Sequence, residues 1–389
     1  MTLGSNTQTI HHTPIAAKPP VLKVVGVGGG GCNAVNRMIE LGISGVDFVV
    51  ANTDAQALSA CLAPVKLQLG PHCTRGLGAG GQPEIGQLAA EESIRTIGDA
   101  LSGADMVFIA AGMGGGTGTG AAPVISRIAH NMGAVTIAIV TMPFAFESGR
   151  RQVNARQGLD KIRPYTDTLI SIPNDKLMEV ATRDLTLDLA FRLADDVLRQ
   201  GVQSISELVN ETGMINVDFA HLKRLMQQGG GSYMSIGYGQ GEGKARQAID
   251  QALHHPLLES IPVESATGII ANFTGDSSLS FYEVAEALTL LQERTGHQAE
   301  IIPGLMNDDR LQDRAQVILI ITGLGGKAVN QEVPLPIPRT IKPIPGQPTF
   351  QPSQPAYLIE SNNTSADRNN ALTNLDMPAF IRKRYRMNG

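Results

Sequence analysis

Two runs of glycine constrain this 389-residue chain more than any other feature. Gly26-Val27-Gly28-Gly29-Gly30-Gly31 completes the apolar stretch 22–27, and Gly112-Met113-Gly114-Gly115-Gly116-Thr117-Gly118-Thr119-Gly120 follows the apolar stretch 106–111. Each run leads into residues with helical spacing. Glycine lets the backbone turn tightly and press N–H groups against an anion, and the helix that follows adds its positive end. Gly26, Gly28 and Gly31 satisfy G-x-G-x-x-G, so a dinucleotide-dependent dehydrogenase is one reading of the first run. The second run weighs against it, because two phosphate-cradling turns suit a triphosphate gripped from two sides. No G-x-x-x-x-G-K-[ST] occurs, which excludes a Walker-type nucleotidase.

Between residues 21 and 171 short β-branched runs alternate with helical patterns. Strands are predicted at 22–27, 47–51, 106–111, 135–141 and 168–172. Runs apolar throughout belong to strands covered on both faces, hence to a parallel sheet with crossover helices. A long helix is predicted over 186–210, where Ala190, Ala194, Val197, Leu198, Gly201, Ile205 and Leu208 recur at three- and four-residue spacing. At ~1.5 Å per residue it spans about 37 Å, enough to join two domains. A second α/β block follows, with strands at 268–274, 298–302 and 317–322 and helices at 244–253 and 282–293. Eight of the 22 prolines then fall within 334–355, ahead of the polar run 361–370, a composition that cannot bury a core. The expected organisation is α/β: a flexible start (1–20), a parallel-sheet nucleotide-binding domain (21–185), a central connecting helix (186–211) and a smaller C-terminal α/β domain (212–326). A Pro-rich disordered linker (327–370) and a partner-binding tail (371–389) complete it.

Net charge is −5, which argues against a general nucleic-acid binder. Cys32, Cys61 and Cys73 form no CxxC pair and leave one odd, so neither a disulfide framework nor a zinc site is expected, and a reducing compartment is the simpler reading. The polar N-terminus has no apolar secretion segment, and the apolar runs fall far short of the ~20 residues a membrane helix needs.

The pair VGVGGGGCNAVNRM and GMGGGTGTGAAP resembles FtsZ, the tubulin-like GTPase family that polymerises for bacterial cell division. NTDAQAL (52–58), TMPFAFE (141–147) and IPNDKL (172–177) are similar to the same family, as is LDMPAF (375–380) near the end. The resemblance implies a GTP site. Gly28, Gly29, Gly30, Gly31 and Cys32 would wrap the phosphates and Asn33 would reach toward guanine, with Cys32 as inert packing. Gly115, Gly116, Thr117 and Gly118 would cradle the β- and γ-phosphates. Thr141, Glu147 and Arg151 would line the ribose and phosphate side, with Ser148 standing where the family has Gly. Phe191 would stack on guanine and Asp195 would accept from its N1–H and N2–H₂, which adenine lacks. Without the resemblance, Phe191 reads as a core aromatic. Mg²⁺ would ride on the nucleotide, with no protein metal site.

The same resemblance places the hydrolytic group in trans: a loop of one subunit enters the cleft of the next, so head-to-tail stacking completes the site. The loop is Asn216-Val217-Asp218-Phe219-Ala220-His221. Asn216 and Asp218 fit the family's N-x-D-x-x-D, whereas His221 replaces the second Asp. Neutral imidazole accepts one hydrogen bond but lacks the carboxylate's charge. Filaments are therefore expected to form while GTP hydrolysis is slow, unless His221 points away or a neighbour such as Asp308 or Glu211 compensates. In the tail, Asp376, Pro378, Phe380 and Ile381 would dock onto membrane-tethering and regulatory division proteins. Arg382, Lys383, Arg384 and Arg386 would add attraction to acidic surfaces. The expected setting is the cytoplasmic face of the membrane at a mid-cell ring, with membrane contact only indirect. A GTP-binding scaffold that polymerises with little or no hydrolysis is the alternative.

Overall fold

In the computed structural model, which describes residues 19–147, 149–179, 186–210, 218–227, 231–254 and 263–324, the apolar runs become neighbouring strands. The N-terminal strands are β1 (Leu22–Val27), β2 (Asp47–Asn52), β3 (Val65–Gln68), β4 (Met106–Gly112), β5 (Val135–Met142) and β6 (Thr168–Pro173). The C-terminal ones are β7 (Gly231–Gln240), β8 (Gly268–Gly275), β9 (Glu300–Asn307) and β10 (Arg314–Leu324). The order across the sheet is β3-β2-β1-β4-β5-β6-β7-β10-β8-β9. β1 to β6 are parallel throughout, as the apolar runs of all but β3 predict, and their order reverses between β1 and β4. In such sheets the ligand crevice opens at the carboxyl ends of the strands at that reversal.

The C-terminal part is mixed: β10 runs antiparallel to both β7 and β8, and β9 is parallel to β8. It joins the first part through the pairing of Ile170 on β6 with Ser232 on β7.

The helices are α1 (Gly28–Glu40), α2 (Ala55–Ser59), α3 (Pro83–Glu92), α4 (Ile94–Leu101), α5 (Thr117–Asn131), α6 (Gly149–Ile162), α7 (Asn174–Glu179), α8 (Leu187–Asn210), α9 (Phe219–Met226), α10 (Lys244–Leu253) and α11 (Phe281–Arg294). One apolar core gathers α1, α8 and α9 on strand residues Val24, Phe108, Ile139, Ile170 and Ile320. A second gathers α3, α4, α5 and α6 on the alternate residues Val25, Ile109 and Val140. The predicted long helix is α8, and Gly201 lets it lie flat across the junction. A Cβ there would sit 2.9 Å from Ile139 Cδ1 on β5 and 3.1 Å from Met234 Sδ on β7.

All described residues lie in one compact unit, Met1–Asn330. None of the second, Gln331–Gly389, is described, so the predicted tail residues Asp376, Pro378, Phe380 and Ile381 lie outside the described residues, as do Ser148, Glu211 and Asn216.

β3, β7, α2, α6, α7 and α9 were not anticipated; the strand expected at 298–302 runs from Glu300 to Asn307 instead, and that expected at 317–322 runs from Arg314 to Leu324.

Candidate functional site

The two glycine runs sit side by side at the carboxyl ends of β1 and β4, where the strand order reverses. Gly28 has φ +72°, which favours glycine, and a Cβ on it would lie 2.8 Å from the Gly118 nitrogen. A Cβ on Gly31 would come within 2.2 Å of the Ala110 carbonyl oxygen, so α1 starts in direct backbone contact with β4. Gly118 in turn allows α5 to start 2.5 Å, measured from its would-be Cβ, from the Gly112 oxygen.

Both helices begin bare. α1 has Val27 and α5 has Gly116 at the N-cap, neither gives a side-chain cap, and neither first turn carries an acidic residue. Side-chain caps do occur in the chain, with Asp54 accepting from Gln56 and Ala57 at α2 and Ser280 forming a capping box with Glu283 at α11. α3, α4 and α10 also start without one, so what sets α1 and α5 apart is that their bare starts meet at the two glycine runs. Uncapped N–H groups at two converging positive helix ends form a receptor for an anion. Gly29, Gly30 and Asn33 are exposed on α1, and would-be Cβ atoms on Gly29 and Gly115 meet nothing within 4 Å, so the backbone at both runs borders open space.

Other predicted residues border the same cleft. Thr117 Oγ1 lies 2.6 Å from Thr53 Oγ1, joining the start of α5 to the end of β2. Thr141, next to last in β5, is buried, its carbonyl accepting from Met113 N at 2.9 Å. Glu147 accepts from Phe144 N at 3.0 Å through Oε1 and from Arg151 through Oε2, which presents a fixed carboxylate beside a half-exposed guanidinium. Arg151 adjoins the second loop: a Cβ on Gly114 would lie 3.0 Å from its carbonyl oxygen.

Cys32 is buried, and burial, with Cys61 beside it, pushes its thiol up, which disfavours the reactive thiolate.

On α8, Phe191 is 41% exposed and not a core aromatic. Its ring stands edge-on to the buried Phe144, centroids 5.4 Å apart at 81°, leaving ring surface for a planar partner. One turn on, burial pushes the Asp195 carboxyl up to about 7, with Arg37 opposing and Asp196 adding to the shift.

Sequence reasoning missed a third glycine-rich turn, Gly76-Leu77-Gly78-Ala79-Gly80-Gly81. It abuts the second loop, since a Cβ on Gly116 would lie 2.8 Å from Ala79 Cβ and 2.9 Å from Gln82 N. Its density of glycine, four in six residues, is a signal that could have found it. Among the described residues no group of three or more His, Cys, Asp or Glu could hold a metal ion.

The residues proposed for water activation lie elsewhere. α9 sits at the opposite, amino-terminal end of the strands: Thr168 Oγ1 at the start of β6 donates to the Met226 carbonyl at 2.9 Å, and Leu225 packs on Gly268 at the start of β8. Asp218 caps this helix, accepting from Ala220 N at 3.1 Å. His221 Nε2 lies 2.7 Å from Glu300 Oε1, and Arg224 donates to the same oxygen at 2.6 Å. The neighbour of His221 is thus Glu300; Asp308, considered for that place, is taken up by Arg310 at 2.8 Å at the far end of β9.

Comparison with known proteins identifies the family and the fold. The profile of the Tubulin/FtsZ family, GTPase domain, matches residues 21–182, and that of the FtsZ family, C-terminal domain, matches residues 230–325. A structure of FtsZ from M. jannaschii, described as an empty dimer, is similar at 43% identity and TM-score 0.75, covering 79% of this chain and 89% of that one. A point mutant of M. jannaschii FtsZ is similar at 42% identity and TM-score 0.76, with coverages of 79% and 92%. CetZ2 from Haloferax volcanii, in a GTPgS-bound protofilament, shares the fold at TM-score 0.66 and 19% identity, covering 78% and 93%. On its matched domains, its sheet order and its paired glycine loops, the chain belongs to the tubulin/FtsZ family of GTPases.

Proposed function

We propose that the protein binds GTP in the cleft at the β1–β4 reversal, polymerises head-to-tail, hydrolyses GTP at each subunit junction and builds the cytokinetic ring. One observation carries the reading: the anion-receiving helix ends and α9 lie at opposite ends of the same strands. A strand of eight residues such as β5 spans about 26 Å, so Asp218 and His221 cannot reach the cleft of their own chain. They can reach that of a copy stacked end on end, and such a heterologous contact repeats into an open filament.

Within the cleft, the N–H groups of Gly29–Gly31 and Gly115–Gly118 would hold the phosphates, with Arg151 offsetting charge and Glu147 accepting from the ribose. Phe191 and Asp195 would take the guanine. Mg²⁺ would be carried on the phosphates, where it would neutralise part of their charge. Asn216 and Asp218 of the neighbour would orient the attacking water, and His221 in place of a carboxylate slows the step. The scaffold reading, with negligible hydrolysis, draws on that same His221.

Phosphate release measured against protein concentration, with light scattering in parallel, tests both readings. The rate per subunit is expected to rise steeply where filaments appear, and His221→Asp to raise it severalfold. A dilute, unassembled chain turning over at the full rate refutes the junctional site; an unchanged or lower rate in His221→Asp refutes the slowing. Polymer with no phosphate release at any concentration supports the scaffold.

The tail at 371–389 is proposed as the docking peptide for membrane-tethering partners, on the strength of its Leu-Asp-Met-Pro-Ala-Phe motif. Deleting it is expected to leave GTP affinity unchanged and to disperse a fluorescent fusion from the membrane. A truncated chain still held at the membrane rules that role out.

A further inference from the structure

We infer that Glu300 is a positioning residue for GTP hydrolysis, acting on the neighbouring subunit's nucleotide through His221. The inference rests on the junctional reading above and adds to it a residue from a different element, 79 positions away in the chain.

His221 and Arg224 are three residues apart on α9 and so share a face of the helix. Both reach Oε1 of Glu300, the first residue of β9, at 2.7 and 2.6 Å. A carboxylate only accepts, so its contact with His221 fixes the hydrogen on Nε2 and leaves Nδ1 as the acceptor of the neutral ring. A free imidazole on an exposed helix start would sample both tautomers and several rotamers. Held by Glu300, it offers one acceptor in one orientation, with a negative charge directly behind it. That is the pair of properties a carboxylate at position 221 would supply: an acceptor for the attacking water's hydrogen and a charge that favours its polarisation. The arrangement matches the general use of a carboxylate to set the tautomer and orientation of a working histidine. Arg224, binding the same oxygen, fixes the carboxylate in place and draws off part of its charge, consistent with a substitute weaker than a direct carboxylate.

The alternative is a surface ion pair that only joins α9 to β9. Pairs this exposed contribute little to stability, so loss of fold is not the expected result of breaking it. The test is a double-mutant cycle on the full chain, reading phosphate release at saturating GTP per mass of sedimented polymer. Glu300→Gln in the native background is expected to lower the rate at least fivefold, with GTP affinity and the protein concentration needed for assembly unchanged. Glu300→Asp is expected to restore at least half of the lost rate. In a His221→Asp background, Glu300→Gln is expected to change the rate less than twofold, because the carboxylate then acts without an intermediary.

Equal losses in both backgrounds, or no loss in the native one, overturn the inference and leave junctional hydrolysis standing. A native chain that assembles without releasing phosphate overturns both, and is told apart by having no rate to lose.

Discussion

Asp195→Asn is expected to weaken GTP binding about a hundredfold and to improve that of XTP. The guanine edge offers N1–H and N2–H₂ to one carboxylate, and charge-assisted hydrogen bonds of this kind are worth about 1.5–3 kcal/mol each. Asparagine keeps one acceptor and turns its amide donors toward guanine's amino group, so a loss near 2.7 kcal/mol follows, a hundredfold in affinity. Xanthine carries a carbonyl where guanine carries that amino group and so accepts from the new amide. Titration calorimetry with both nucleotides checks the exchange, and an unchanged GTP affinity would remove Asp195 from the site.

The same residue makes binding depend on pH. Burial raises the Asp195 carboxyl from its usual 3.8 to about 7, so in the empty cleft it is neutral at pH 6 and largely ionised at pH 8. Guanine requires the ionised form, and GTP affinity should fall about tenfold from pH 8 to pH 6 with release of a proton on binding. For stability the sign is opposite: a carboxyl with a raised value in the folded state favours folding at low pH, and that contribution is lost as pH rises from about 4 to 7. Asp195→Asn should therefore flatten the affinity profile and leave the empty protein at least as stable at pH 8.

Asp218→Asn is expected to cut junctional hydrolysis by one to two orders of magnitude with GTP affinity and melting temperature unchanged. Asparagine caps a helix as well as aspartate does, so the hydrogen bond to Ala220 N survives while the charge is lost. Asp218→Ala would confound the two, since losing a cap costs roughly 1 kcal/mol of its own. Phosphate release from assembled protein, paired with thermal melting, separates them. A full rate in Asp218→Asn would place water activation elsewhere.

The parallel strands were legible because burial on both faces forces continuous β-branched runs, and the five predicted there lie within a residue of those observed. β7 was illegible for an equally physical reason. Its sequence, GSYMSIGYGQ, is short of apolar residues because α10 lies almost on its backbone: a Cβ on Gly237 would meet the Ala248 oxygen at 2.0 Å and one on Gly239 the Lys244 oxygen at 1.9 Å.

β9 continues through Pro303 and Gly304, past the end of the strand expected at 298–302. It is an edge strand, where a missing N–H is tolerated, and Gly304 makes room for Leu208 of α8. The glycine loops and most of their surroundings were readable as local motifs. Glu300 was not, because nothing in the residues around it points to a partner on another element.

With GTP in the proposed cleft, the bare starts of α1 and α5 would make the nucleotide a structural part of the molecule. A ligand that binds only the folded chain and is present at a thousand times its dissociation constant adds about 4 kcal/mol to the fold. The vacant form is then the most fragile one the chain adopts. Recycling a spent subunit must pass through that form or replace one guest by another without it, so replenishment, as much as cleavage, would govern how long a filament lives.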